Sequence, residues 1–188
     1  RGVGDRERMQ EHFLDSSVYI RSMSSRGHLG GLSASTPQAA RLLDAAGFDI
    51  VIIETVGVGQ SEVEVAAAAD TTLVLLAPGM GDGIQAVKAG ILEVGDIFVV
   101  NKADRDGAHE TVRELRHALS LAADVRARPA EPDEWVPPIL LTVASTGQGI
   151  AEVAEAVNAH AEWLASTEPG RQRKARRAEA ELEAVLLA

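Results

Sequence analysis

The sequence predicts an α/β fold with a doubly wound, mostly parallel sheet, and three observations lead to that prediction. Short apolar runs alternate with segments of helical periodicity along most of the 188 residues, which is typical of parallel strands joined by helices. Several of the runs are apolar almost throughout, as expected for strands that are covered on both faces. Polar side chains follow directly where some of these runs end, at the edge where open α/β sheets bind ligands.

The predicted elements follow one another from the N-terminus to the C-terminus. Strand-length apolar runs occupy residues 18–23, 48–54, 69–78, 95–101 and 138–145. Helices are predicted over residues 35–47, 83–95, 108–122 and 149–166, and the Pro-rich residues 127–138 form an irregular connection. In the first helix, Ser35 or Thr36 can cap the start, Pro37 suits the first turn and Gly47 ends the helix.

The last part of the chain differs in composition from the rest. Residues 1–168 are interpreted as one core, and residues 169–188 as a C-terminal helical arm. The arm is basic first, then acidic, then apolar, which suits either a solvated terminal helix or a surface for dimerisation. We expect a homodimer.

Composition excludes several classes of protein. No apolar run approaches the roughly 20 residues that a membrane span needs, and a net charge of −10 argues against non-specific binding of nucleic acid. Cysteine is absent, so disulfides, thiolate metal sites and cysteine nucleophiles are excluded together. No signal peptide is visible, and we expect a cytoplasmic protein.

The apolar run over residues 95–101 ends in the most informative motif of the chain. Asn101 is followed by Lys102 and Asp104, and Asn-Lys-x-Asp after a buried strand is the guanine-reading motif of GTPases. The Asp104 carboxylate can accept hydrogen bonds from N1–H and the exocyclic amine of guanine, whereas adenine has no matching donor pair. Asn101 can tie the loop to neighbouring backbone, and the Lys102 stem can cover the ring. In the alternative interpretation the match is accidental and Asp104 caps a helix.

Two further motifs occur in the order that a GTPase requires. Glu54 ends an apolar run and can reach a nucleotide's Mg²⁺, usually through water. Gly57 lets the backbone approach a γ-phosphate and change conformation when that group leaves. The third motif follows the last apolar run, where the backbone amides of Thr142, Val143 and Ala144 are candidates to contact guanine O6.

Four stretches together resemble the MeaB/ArgK family of P-loop GTPases, relatives of the human methylmalonic aciduria type A protein. They are GDRERMQEHF, VYIRSMSSRGHLGGLSAST, DIVIIETVGVGQSEVEVA and APGMGDGIQAVKAGILEVGDIFVVNKAD, in that order. The resemblance implies a dimeric metallochaperone GTPase that uses GTP/GDP and Mg²⁺. Its implied role is as a chaperone for adenosylcobalamin-dependent methylmalonyl-CoA mutase, or a related acyl-CoA mutase, in cofactor loading and protection.

The resemblance also implies roles for single residues. Asp5 matches an acidic position of the first switch near Mg²⁺, and Glu54 and Gly57 match the second switch. Asp82 and Lys88 lie in a stretch that matches a third switch, which carries the mutase's signal to the nucleotide.

One family motif is missing from these residues. A P-loop requires G-x-x-x-x-G-K-[ST], and none of the lysines at 88, 102 and 174 follows a glycine. We therefore expect a GTPase core that is incomplete at its N-terminus. Two alternatives remain: a non-catalytic dimerising fragment without nucleotide turnover, and a nickel-insertion GTPase, which the absence of cysteine and of a histidine cluster disfavours.

The histidines and tryptophans are assigned no chemistry. Four histidines are scattered along the chain and are expected at the surface: His12, His109, His117 and His160. Their spacing fits no metal site. His28 is a weak candidate to approach phosphate. Trp135 and Trp163 are expected to be packing residues rather than stacking platforms for a base.

Overall fold

The computed structural model describes residues 9, 12, 14–23, 35–54, 66–79, 89–125 and 133–186. These residues belong to two compact units, Arg1–Val65 and Ala66–Ala188. The first unit contains helix α1 (Thr36–Ala45). The regular elements of the second unit are β1 (Leu73–Leu76), α2 (Ala89–Val94), β2 (Ile97–Asn101), α3 (Ala108–Val125), β3 (Ile139–Thr142), α4 (Ile150–Ser166) and α5 (Glu168–Leu186).

Helix α1 has the start and the end that its sequence predicts. Ser35 occupies the N-cap position, although its side chain makes no capping hydrogen bond, and a proline lies in the first turn. After the helix, Gly47 adopts a φ of 87°, a left-handed conformation that glycine enters at little cost. Nearby, the rings of Tyr19 and Phe48 approach to 6.5 Å between centroids.

The two strands predicted in the first unit are not formed. Residues 18–23 and 48–54 have no regular secondary structure, and Ile52, which we expected to be buried in the sheet, is 86% exposed. A strand is defined by ladder hydrogen bonds to a neighbouring backbone, and an apolar run supplies side chains but not that neighbour. Among the described residues, the sheet has the order β1-β2-β3 and does not include residues 48–54.

The sheet of the second unit confirms the predicted parallel α/β class. Strand β2 is central and pairs in parallel with β1 and with β3. Its residues Ile97, Phe98 and Val100 are fully buried, which explains why this run is apolar throughout. All three strands lie within runs predicted as strands.

Helices α3 and α4 cover opposite faces of this sheet, as a doubly wound fold requires. Ala108 and Val112 of α3 form a core cluster with Val100, against which Leu141 packs. Gly149, which precedes α4, lies instead against the side chain of Thr142. Because successive strand residues point to opposite faces, Leu141 and Thr142 identify the two faces that the helices cover.

Helix α5 confirms the predicted C-terminal helix and starts at Glu168. Pro169 and Gly170 lie in its first turn rather than before it, a position where proline is tolerated because the N–H it lacks is unpaired there anyway. A Cβ on Gly170 would clash with the carbonyl oxygen of Trp163 and lie 2.6 Å from Leu164 Cα, so the close approach of α4 and α5 requires glycine. Within the described residues, none of the helices combines the length and hydropathy of a membrane span.

Candidate functional site

The polar residues predicted to read guanine come together where two neighbouring strands end. Asn101 is the last residue of β2 and Thr142 the last of β3, and the two are direct partners in the parallel register. The carboxyl ends of parallel strands form one edge of a sheet, which is where ligands of open α/β sheets bind. The two loops that follow, residues 101–104 and 142–146, are termed the guanine loops.

The Asn101 side chain joins the two guanine loops. Its Oδ1 accepts a hydrogen bond from Thr142 Oγ1 at 3.1 Å and another from the Ala144 backbone N–H at 3.1 Å. Thr142 is only 2% exposed, so its hydroxyl depends on this acceptor rather than on water. This confirms the prediction that Asn101 ties its loop to neighbouring backbone.

The loop after β2 turns sharply and exposes its last two polar side chains. Lys102 has a φ of 59°, which is uncommon outside glycine and costs of order 1–2 kcal/mol. The Ala103 N–H donates to the Thr142 carbonyl at 3.0 Å, a second bond between the guanine loops. Asp104 is exposed and lies before Gly107, the residue preceding α3, so the alternative in which Asp104 caps the helix is wrong.

The loop after β3 is closed by its own backbone and by two glycines. The Val143 N–H donates to the Gln148 carbonyl at 3.0 Å, and the Thr146 hydroxyl donates to the Val143 carbonyl at 3.0 Å. Gly147 and Gly149 both have a φ of 78°. A Cβ at Gly149 would also clash with the Leu141 carbonyl oxygen, so this loop can close only with glycine at that position.

The backbone amides proposed to contact guanine O6 are already engaged within the protein. Thr142 lies in the β3 ladder, the Val143 amide donates to Gln148, and the Ala144 amide donates to Asn101. A contact with O6 through Ala144 would therefore share a donor that is already in use. The next amide, that of Ser145, has no acceptor among the described residues and is an additional candidate that sequence reasoning missed.

The other predicted site residues belong to the first unit or lie outside the described residues. Glu54 is exposed and belongs to the first unit. Asp5, Gly57 and Lys88 lie outside the described residues, as do Asp82 and His28.

At the opposite edge of the sheet, the structure contains a buried polar cluster that sequence reasoning missed. His160 was predicted at the surface but is 0% exposed, whereas His12, His109 and His117 are exposed as expected. Its Nδ1 lies 2.8 Å from the Thr71 hydroxyl, and its ring stacks on Trp163 with 5.4 Å between centroids. Trp135 meets the same ring edge-on at 4.8 Å, which confirms that both tryptophans are packing residues.

The carboxylate of Asp96 organises this group, which is termed the Asp96 cluster. Arg173 of α5 donates two hydrogen bonds to it, at 2.6 and 3.0 Å, and the Thr72 backbone N–H donates a third at 2.8 Å. His160 Nε2 is 3.6 Å from the carboxylate and has no hydrogen-bond partner in the described part of the chain. The cluster thereby fastens α4 and α5 to the amino ends of β1 and β2.

The charge state of His160 follows from its surroundings. Burial is the strongest influence and lowers the pKa of the imidazole below its usual value, and the charge of Arg173 lowers the pKa further. The carboxylates of Asp96 and Asp70 oppose this shift without reversing it. The folded protein therefore favours the neutral ring. The one sequence signal for this cluster is Asp96, an acidic residue directly before the apolar residues 97–100.

Known proteins are similar to this chain over most of its length. A family model described as methylmalonyl Co-A mutase-associated GTPase MeaB matches residues 2–187. A protein of Pyrococcus horikoshii that carries the name GTPase is 45% identical over 184 residues, which are 98% of this chain and 57% of that protein. The GTPase ArgK of Escherichia coli is 41% identical over 155 residues, which are 82% of this chain and 46% of that protein.

A mammalian relative and a solved structure are also similar to this chain. The mitochondrial methylmalonic aciduria type A homolog of Mus musculus is 38% identical over 151 residues, covering 80% of this chain and 36% of that protein. A crystal structure of a LAO/AO transport system kinase has a TM-score of 0.62 and 33% identity, covering 80% of this chain and 47% of the other. The fold is thus that of P-loop GTPases, and the chain spans about half the length of the curated relatives that it matches.

Proposed function

We propose, from the premise that this chain belongs to the family of methylmalonyl Co-A mutase-associated GTPases called MeaB, that it supplies the guanine-binding part of a protein that binds and hydrolyses GTP. The observation that carries the proposal is the Asn101 side chain, which joins the two loops at the carboxyl edge of the sheet. A base seated between these loops would meet an exposed carboxylate from one loop and a backbone amide from the other.

Base recognition would depend on Asp104. Its carboxylate is exposed and can accept hydrogen bonds from N1–H and the exocyclic amine of guanine. Hydrogen bonds to a charged acceptor are worth about 1.5–3 kcal/mol each. Adenine would leave that carboxylate without a matching donor pair, which is the strongest way for a site to reject an analogue.

The test is a change of base preference. Asp104→Asn replaces the acceptor by an amide, which can donate to the 2-oxo group of xanthine. In the complete protein, we expect GDP affinity to fall at least tenfold and XDP affinity to rise, both measured by calorimetry. Asp106→Asn removes an exposed carboxylate two residues further on and is expected to change neither. Unaltered guanine preference in Asp104→Asn would remove this residue from the base site.

Hydrolysis would require groups beyond the guanine loops. The 188 residues contain no G-x-x-x-x-G-K-[ST] motif, so the proposal of turnover concerns the whole protein. Mg²⁺ would be held by carboxylates of the switches, Asp5 and Glu54. An exposed carboxylate such as Glu54 is the hard oxygen ligand that Mg²⁺ prefers, and the ion would neutralise charge on the phosphates.

The missing phosphate contacts predict the behaviour of these 188 residues alone. Each charge-assisted contact to phosphate is worth about 1.5–3 kcal/mol, so we expect GDP to bind at least ~100-fold more weakly than to the complete protein. Micromolar affinity of the isolated 188 residues would contradict this. If instead the polypeptide dimerises without turnover, the non-catalytic alternative describes it better.

The proposed partner is methylmalonyl-CoA mutase or a related acyl-CoA mutase. The support is the family description, which names a methylmalonyl Co-A mutase-associated GTPase. A partner accelerates hydrolysis only by interacting differently with the ground and transition states, and Lys88 in the glycine-rich stretch 77–88 is the proposed relay. Phosphate release would be measured with and without the mutase.

The variants for that assay are Lys88→Ala and, as a control, Lys174→Ala. We expect Lys88→Ala to keep basal hydrolysis within about threefold, which is under ~0.7 kcal/mol of barrier, and to lose most of the stimulation. Lys174→Ala, an exposed position on α5, is expected to keep both. Full stimulation in Lys88→Ala would show that this lysine is not part of the relay.

Homodimerisation is proposed to use the second half of α5. Leu182 is 65% exposed there, while the first half of the helix is held by the Asp96 cluster. Leu182→Glu is expected to shift the sedimentation coefficient from that of a dimer to that of a monomer, and Arg176→Glu, at another exposed position of α5, is the control. A dimer that survives Leu182→Glu would place the interface elsewhere.

A further inference from the structure

A groove with a volume of about 560 Å³ runs along the outer side of β3. It is lined by Ile139, Leu140 and Leu141 of the strand, by residues of α3, and by Glu152 of α4. Ile139 and Leu141 point toward the face that α3 covers, and Leu140 points toward the α4 face. A cavity lined by three consecutive strand residues and by helices of both faces lies at the edge of the sheet itself. It is termed the β3 groove.

The backbone of β3 offers hydrogen-bonding groups to this groove. Within the described residues β3 is the last strand of the sheet. The carbonyls of Pro138 and Thr142 accept bonds from β2 and its loop, so these residues turn their backbone groups inward. Ile139 and Leu141 have the opposite orientation, which directs their N–H groups to the open edge. Such an edge is a template for pairing with another chain.

The charge of the groove is opposite to that of the protein. His109, Arg113 and Arg116 line it from one stripe of α3, and Glu152 is the acidic residue of the lining. Both arginines are exposed, and neither has a carboxylate within salt-bridge distance in the described part of the chain. Two unneutralised guanidinium groups beside an open strand edge, on a chain of net charge −10, favour an acidic occupant.

We propose that the β3 groove binds an extended acidic segment of a partner protein, which adds to β3 as a further strand. Main-chain hydrogen bonds to Ile139 and Leu141 would supply affinity, and alternate side chains would supply specificity. Side chains on the α3 face would be carboxylates that meet Arg113 and Arg116. Those on the α4 face would be apolar and would lie beside Leu140, so the matching segment alternates acidic and apolar residues.

The experiment uses three fluorescein-labelled octapeptides with the purified protein. One alternates Glu and Val, one alternates Lys and Val, and one alternates Glu and Pro. We expect fluorescence anisotropy to detect binding of the Glu-Val peptide, at least tenfold weaker binding of the Lys-Val peptide, and similar weakening for the Glu-Pro peptide, whose prolines remove backbone donors. Equal binding of the Glu-Pro peptide would overturn the strand pairing and leave only charge attraction.

Variants test the assignment to this groove. The double substitution Arg113→Glu/Arg116→Glu is expected to abolish binding of the Glu-Val peptide and to favour the Lys-Val peptide, while Arg176→Glu on α5 changes neither. Protection of the Ile139 and Leu141 amides from hydrogen exchange by the Glu-Val peptide would support the added strand. Undiminished binding to the double variant, or self-association of the protein through this edge without peptide binding, would overturn the proposal.

Discussion

Replacing Asn101 by alanine tests the bond that joins the guanine loops. Asn101 Oδ1 accepts from the Thr142 hydroxyl and from the Ala144 amide, each at 3.1 Å. Ala144 is exposed, so water can replace the lost acceptor there at little cost. Thr142 is 2% exposed, so its hydroxyl would be left buried without a partner, which costs about 1–3 kcal/mol. We therefore expect Asn101→Ala to lower the free energy of unfolding by about 2 kcal/mol.

The assay is a double-mutant cycle followed by urea unfolding. Thr142→Val removes the hydroxyl that Asn101→Ala would strand, and removing both partners is less harmful than removing one. We expect the double variant to lose at least ~1 kcal/mol less than the sum of the single losses, with unchanged m-values. Asn101→Asp keeps an acceptor in place and is expected to retain more stability than Asn101→Ala. Losses that add within about 0.5 kcal/mol would refute the coupling.

Three further predictions concern the folded state. Gly149→Ala is expected to cost more unfolding free energy than Gly147→Ala, because both have a φ of 78° but only the first adds a clash with a main-chain carbonyl; equal urea midpoints would contradict this. Arg173→Met removes two hydrogen bonds from the Asp96 carboxylate, which is 4% exposed, and is expected to cost about 1–3 kcal/mol. Arg171→Met removes an exposed pair and should cost clearly less; similar losses would argue against the Asp96 cluster as an anchor. Burial lowers the pKa of His160 in the folded state, so the unfolded state binds more protons below the unfolded pKa of about 6.5. The contribution of His160 to stability should therefore be full above that pH and fall below it. If the urea midpoint of His160→Gln falls with decreasing pH as steeply as that of the unsubstituted protein, this contribution of His160 is refuted.

Much of the second unit could be predicted from the sequence. The runs that became β1, β2 and β3 are short and apolar, and helices α3, α4 and α5 lie where periodicity and composition placed them. That Asn101 ties its loop to neighbouring backbone was also predicted. The structure identifies that backbone as the loop after β3, which lies nearby because parallel strands bring their carboxyl ends to one edge. These features depend on local pattern and on one general rule of topology.

The first unit shows where local pattern is insufficient. Residues 48–54 are as apolar as β2, yet they form no ladder, and Ile52 is exposed. An apolar segment is stabilised by burial, but a strand also needs a neighbouring backbone in register. That neighbour is a property of the tertiary structure.

The Asp96 cluster is the feature that depends most clearly on the tertiary structure. Its contacts join residues 77 positions apart, Arg173 and Asp96, and 89 positions apart, Thr71 and His160. Nothing in the spacing of His160 along α4 distinguishes it from the exposed histidines of α3. Its burial arises because the sheet aligns the starts of β1 and β2 beneath α4, and a polar side chain is stable there only when acceptors and donors from distant segments surround it. The sequence predicted the strands and helices of the second unit and the two loops that are proposed to read a base. The folded chain decided which apolar runs pair as strands and which polar groups satisfy one another, because both depend on neighbours from distant segments.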